Sequence, residues 1–151
     1  MKVLMVCLGN ICRSPIAEGV LQKKAKDAGL NWVVDSAATL SYHIGEAPHH
    51  LSQRISKKHG VDISKQKARL LIKEDFEAFD KIYAMSNDVV LLMKEIGAEK
   101  FNSEKVDLLL NEINPGKNED LLDPWFGPES SFTIVYNLVN EACDKIIEKH
   151  K

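Results

Sequence analysis

Residues 2–15 read KVLMVCLGNICRSP, and the order of these side chains decides how the rest of the chain is read. Lys2 to Cys7 is a short apolar run, the pattern of a strand buried on both faces. Gly9-Asn10 breaks the run, and both residues tolerate a positive φ. Ser14 suits a helix N-cap and Pro15 the first helical position. The stretch is therefore expected to be strand, tight loop and helix. In such a unit the loop amides turn inward, and the helix adds free N–H groups and the positive end of its dipole. The product is a nest for a dianionic phosphate, lined by Leu8, Gly9, Asn10, Ile11 and Cys12. Arg13 adds a planar fork that grips two phosphate oxygens, and Ser14 adds a hydroxyl at the base. A helix N-terminus and a neighbouring cation favour a cysteine's thiolate form, so Cys7 reads as a nucleophile. The plainer alternative, a packed Cys7 and a surface Arg13, leaves Gly9, Asn10, Ser14 and Pro15 without a common explanation.

The remaining chain repeats the alternation of strand and helix. Ile16, Ala17, Val20, Leu21, Ala25 and Ala28 recur on one helical face, and Gly29 is a plausible stop. Trp32–Ala38, Lys81–Met85 and Val106–Leu110 read as strands, and Ala68–Leu71 as a short extended piece. Helices are expected around Leu51 and Ile55, over Val90–Ile96, and from Phe132 to Ile146. Ser41–His50 and Asn114–Asp123 read as loops. Such alternation predicts one α/β domain with a mainly parallel sheet, in which ligands gather at the carboxyl ends of strands.

The 151 residues are enough for one domain with a sizeable core, and 44% hydrophobic with 28% charged residues is ordinary globular composition. A formal net charge of -2 gives no sign of a nucleic-acid or membrane partner. No secretory signal or membrane-length apolar segment is visible. Three cysteines then fit a reduced, cytoplasmic protein better than a disulfide framework. Cys143 falls on the apolar side of the last helix and reads as core. The histidines (His43, His49, His50, His59 and His150) form no i,i+4 pair with a nearby glutamate, so no metal and no cofactor are expected.

The string CLGNICRSP, residues 7–15, resembles the active-site loop of the low-molecular-weight protein tyrosine phosphatases. The likeness extends through Val34-Asp35-Ser36-Ala37-Ala38, His59-Gly60 with Ala68-Arg69, Lys73-Glu74-Asp75-Phe76, and Asp123-Pro124. It implies a single domain over residues 1–151, with a four-stranded parallel sheet flanked by helices on both faces and the phosphate loop after the first strand. It implies a phosphotyrosine-protein phosphatase with Cys7 as nucleophile, Arg13 as clamp and Asp123 as general acid. Asn10 and Ser14 match loop-ordering positions, with Ser36 and His59 in support. Tyr42 and Trp125 match the walls of an aromatic slot that suits phosphotyrosine. Phosphotyrosine proteins are the implied substrates, and inorganic phosphate and other oxyanions the implied inhibitors. Cys12 is expected to trap an oxidised Cys7 as a reversible disulfide.

Three departures stand out. Trp125 and Phe126 replace the adjacent tyrosines of animal members. Lys65 stands where many members have a second histidine, and Ser86 where many have aspartate. Three rival functions share the loop. An arginine-phosphate phosphatase resembles Gly-Asn-Thr-Cys-Arg, whereas this chain has Ile11. An arsenate reductase needs further cysteines, and residues 65–100 have none. A non-catalytic phosphate- or phosphopeptide-binding module needs neither Cys7 nor Asp123.

Overall fold

The apolar run near the start of the chain becomes the central strand. β1 (Lys2–Cys7) is fully enclosed from Val3 to Val6. β2 (Val33–Ala38) pairs with it on one side and β3 (Lys81–Ala84) on the other, both parallel, and β4 (Val106–Leu108) extends the sheet beyond β3. The order β2-β1-β3-β4 means that the chain leaves β1 toward one edge and later returns toward the other. The carboxyl end of β1 is thus a topological switch point, the place where an open parallel sheet leaves a crevice for a ligand. The computed structural model of the chain describes residues 1–150.

Side-chain alternation along β1 divides the core into two layers. Val3 and Met5 face α1 (Arg13–Asp27), α2 (His50–Lys58) and α5 (Ser130–Lys149), meeting Ile16, Leu21, Phe132 and Val139. Leu4 and Val6 face Phe76 of α3 (Asp75–Ala78) and Val89 and Met93 of α4 (Asn87–Gly97). Helices therefore cover both faces of the sheet, and Cys143 is buried within the α5 layer. No helix among the described residues is long and apolar enough to cross a membrane.

The differences from the sequence reading are local. The fourth strand ends at Leu108, and Leu109–Glu112 turns into a 3-10 helix that still buries Leu109 and Leu110. The four residues of α3 carry no readable period. Ala68–Leu71 contributes only a parallel bridge, between Leu70 and Ala38. The α1 start also differs: Cys12 is the N-cap, Arg13 is already helical, and no side chain caps the helix. Ser14 does not cap because its hydroxyl is buried and turned back into the loop.

Candidate active site

The loop after β1 is shaped by where its carbonyls go. Those of Cys7 and Leu8 accept from the N–H groups of Thr39 and Leu40, at 3.1 and 2.9 Å. The Ile11 carbonyl accepts from the His49 N–H at 2.8 Å, and the Cys12 carbonyl from the Ser52 hydroxyl at 3.0 Å. A trans peptide sets its N–H opposite its carbonyl. With those carbonyls held outward, the N–H groups of Leu8, Gly9, Cys12 and Arg13 face the interior of the loop. Asn10 makes the tight bend with φ 58° and donates its own N–H to Cys7 Sγ at 3.3 Å. Gly9, which tolerates a positive φ, does not adopt one. What it supplies is space, since a Cβ there would lie 3.1 Å from the His43 ring.

The Asn10 side chain holds the loop together. Its Oδ1 accepts from the Arg69 backbone N–H at 3.1 Å. Its Nδ2 donates to Ser14 Oγ at 2.8 Å and to Ser36 Oγ at 2.9 Å. Both amide hydrogens are then spent, so both hydroxyls act there as acceptors. Ser14 Oγ lies 3.0 Å from Cys7 Sγ, and its one hydrogen, not engaged by Asn10, is free to donate to the sulfur. Asn10, Ser14 and Ser36 are thus brought together as the sequence implied. His59 is not. Its Nδ1 lies 3.0 Å from the Ile55 carbonyl and its ring stacks on Tyr136 at 4.2 Å. Holding the end of α2 against α5 commits that ring away from the loop.

Arg13 and Asp123 come together from opposite ends of the chain. Arg13 is buried, and its Nη1 donates to the Leu121 carbonyl at 3.0 Å. Its Nη2 lies 3.7 Å from Asp123 Oδ2. Asp123 caps the 3-10 turn Pro124–Phe126, its Oδ1 accepting from the Trp125 N–H at 3.1 Å. The second oxygen is left toward the clamp and the cavity.

A cavity of about 190 Å³ opens above the loop and is lined by Cys7, Arg13 and Asp123 at its polar end. Leu8, Ile11, Tyr42 and Trp125 line it as expected. Leu40, His43 and Phe126 also line it, and the sequence reading assigned them no site role. The only signal for them was adjacency to Tyr42 and Trp125. Tyr42 and Phe126 are largely exposed at the rim, 79% and 88%, so they stand ready for a ligand. His43 Nδ1 lies 2.7 Å from Glu46, and its ring meets Trp125 at 5.6 Å. Cys12 also reaches the cavity, but burial, with Cys7 and Asp123 nearby, pushes its thiol up to about 12. Cys12 therefore stays a protonated thiol beside Cys7.

A cysteine at the floor of a loop of inward amides, a buried guanidinium and a carboxylate beside it define a phosphate-ester site on a parallel α/β sheet. The family described as "Low molecular weight phosphotyrosine protein phosphatase" matches residues 2–151. The chain belongs to that family. It is 41% identical over 151 residues to the low molecular weight phosphotyrosine protein phosphatase of Homo sapiens, covering 98% of this chain and 94% of that protein. Its fold matches a protein tyrosine phosphatase from Entamoeba histolytica, solved with Hepes in the active site. There the TM-score is 0.90 at 34% identity, over 99% of this chain and 96% of that one. It matches the drosophila arginine phosphatase with a TM-score of 0.90 at 33% identity, over 100% of this chain and 98% of that one.

Proposed function

We infer that the protein is a phosphotyrosine-protein phosphatase working through a cysteinyl-phosphate intermediate. The observation that carries this reading is the convergence of Cys7, the inward amides, Arg13 and Asp123 on one cavity with aromatic and aliphatic walls. The phosphate of a tyrosine ester sits in the loop, held by the amides and Arg13. Cys7 Sγ attacks phosphorus from the loop floor as the phosphorus–oxygen bond breaks on the opposite side. Asp123 gives its proton to the departing phenol oxygen, a contribution of about 10²–10⁴-fold for a positioned acid. The same carboxylate then takes a proton from water as water attacks the phosphorus, freeing phosphate and restoring the thiolate. Arg13 and the amides hold the equatorial oxygens throughout, where charge is greatest. Free phosphate and other oxyanions compete for the same nest.

The walls support an aryl ester. Tyr42, Trp125 and Phe126 offer ring faces to a phenol, and phosphoserine does not extend to them. The likeness to the drosophila arginine phosphatase keeps a phosphoarginine substrate as the second reading. Ile11 is the residue that opposes it, since its side chain has no group to bond a guanidinium or its attacking water. Turnover of phosphotyrosine and phosphoarginine peptides by wild type, Cys7→Ser and Asp123→Asn tests both readings. Phosphotyrosine turnover lost in Cys7→Ser is expected. A preference for phosphoarginine overturns the substrate assignment, and equal inactivity of wild type and Cys7→Ser, with phosphate still bound, leaves only a binding module.

Three free, buried cysteines fit a reduced cytoplasmic setting. Within it Cys12 serves reversible protection. Peroxide converts Cys7 to a sulfenic acid, and the Cys12 sulfur displaces water from it to form the disulfide. Intact mass showing a loss of two hydrogens, reversed by thiol, is the expected result.

A further inference from the structure

The hydrogen-bond network of the loop does not stop at Ser36. The Ser36 hydroxyl accepts from Asn10 and donates its hydrogen to Glu18 Oε1 at 2.7 Å. Glu18 lies in α1 and is not part of the cavity lining. It lines an open groove of about 650 Å³ between α1 and the segment after α2. A continuous series of bonds therefore runs from a surface groove to the nucleophile, through Glu18, Ser36, Asn10, Ser14 and Cys7.

Direction matters in this series. Asn10 donates at both ends, so each serine must turn its own hydrogen away from Asn10. For Ser14 the partner is Cys7 Sγ, and for Ser36 it is the Glu18 carboxyl. With no acceptor at position 18, the Ser36 hydroxyl loses its fixed direction. The Asn10 amide then loses one of its two anchors, and the Ser14 hydrogen is no longer held on the sulfur. We propose that Glu18 is a positioning residue for Cys7, acting through Ser36, Asn10 and Ser14, and that its ionisation tunes the field of the phosphate loop. The proposal rests on the reading of Cys7 as the phosphatase nucleophile.

The groups around Glu18 allow it to titrate in the working range. Burial raises its pKa to about 7, the Ser36 bond pulls it down, Asp35 on β2 raises it and Arg69 lowers it. On α1 itself Lys23, Lys26 and Asp27 share the groove, and Asp62 and Lys65 face it from the segment after α2. The neutral carboxyl still accepts from Ser36 through its carbonyl oxygen, so the bond survives acid. Above neutrality the carboxylate adds a negative charge behind a loop that must hold a dianion and a thiolate. A glutamine keeps the acceptor and never carries the charge.

Steady-state kinetics with p-nitrophenyl phosphate from pH 5 to 8, on wild type, Glu18→Gln and Glu18→Ala, test the proposal. Alkylation of Cys7 by iodoacetamide in the same proteins reads the sulfur without catalysis. Glu18→Ala should lose roughly tenfold in kcat with little change in KM, the size of one lost hydrogen bond to a charged group, and should slow Cys7 alkylation. Glu18→Gln should restore most of that kcat, and its kcat/KM relative to wild type should rise severalfold as pH passes neutrality. If Glu18→Ala does not fold, Ser36→Ala breaks the same series and should show the same kcat loss. Alanine and glutamine variants that match in kcat, alkylation and pH profile overturn the proposal, as does an alanine variant with wild-type kcat. An inactive wild type would instead refute the phosphatase reading itself.

Discussion

Replacing Glu18 with glutamine removes one ionisation and almost no volume, so its effect on stability isolates a single proton. In the fold, burial moves this carboxyl from 4.5 to about 7, with Ser36 and Arg69 opposing and Asp35 assisting. The folded state therefore keeps its proton over a pH range in which the unfolded chain has already lost it. A raised carboxyl contributes stability that is fully present below the unfolded pKa and is lost as pH rises through the folded one. One pKa unit corresponds to about 1.4 kcal/mol, so wild type should lose roughly 2–3 kcal/mol between pH 5 and pH 8 that Glu18→Gln retains. For a domain of this size that is on the order of 5 °C in Tm. Urea unfolding of both proteins at pH 5, 6, 7 and 8 gives the measurement, and the difference between the two curves cancels every other titrating group. The difference should narrow or reverse in favour of the variant with rising pH, most steeply between the unfolded value of 4.5 and the folded value of about 7, and level off above it. A difference that is flat with pH would show Glu18 ionising as freely in the fold as out of it, with burial having no hold on its proton.

Asp123→Asn should slow phosphotyrosine turnover by about 10²–10⁴-fold, with a much smaller loss on an ester whose leaving group needs no proton; equal small losses on both would place the acid elsewhere. Ile11→Thr should leave the fold intact and raise phosphoarginine turnover relative to phosphotyrosine, read as a ratio of kcat/KM values. Gly19→Ala should destabilise by about 1–3 kcal/mol in urea unfolding, because a Cβ there would lie 2.5 Å from Ile63 Cγ2 and 2.9 Å from Val61 Cγ1, outweighing the better helix propensity of alanine. Met93→Ala should cost about 2–5 kcal/mol, since Met93 is fully buried in the layer under α4.

What could be read from the sequence was what lies close along the chain. Cys7, Asn10, Arg13 and the α1 start fall within a few residues of one another, so strand, loop and helix signals reinforce each other there. The parallel sheet was legible because β1 is apolar at almost every position and needs cover on both faces. Asp123 was not legible from the residues, because Asp-Pro is an ordinary turn signal. Only the resemblance picked it out, and its site depends on contacts between residues 108 apart, Arg13 and Leu121. Glu18 carries no signal of its own in the sequence, where it is one more charged residue among the helix positions of α1. It is partly enclosed by the segment after α2, which no local pattern reveals. His59 shows the reverse failure, a position matched in sequence whose ring the fold directs to Tyr136.

Leu121 has a consequence for how such a site can change over time. Its N–H donates to the Met85 carbonyl at the end of β3, at 2.8 Å, while its own carbonyl receives Arg13. Its side chain is buried, whereas residues 114–120 before it are exposed. Asp123, two residues later, thus takes its position from the sheet and from Arg13, not from the loop that precedes it. The exposed turn at Pro115-Gly116, ahead of the contacts that Asn118 and Asp120 make to Asn87, is where an added residue should leave turnover unchanged. One residue added between Leu121 and Asp123 would separate the carboxylate from its anchor and disable the site without disturbing the core.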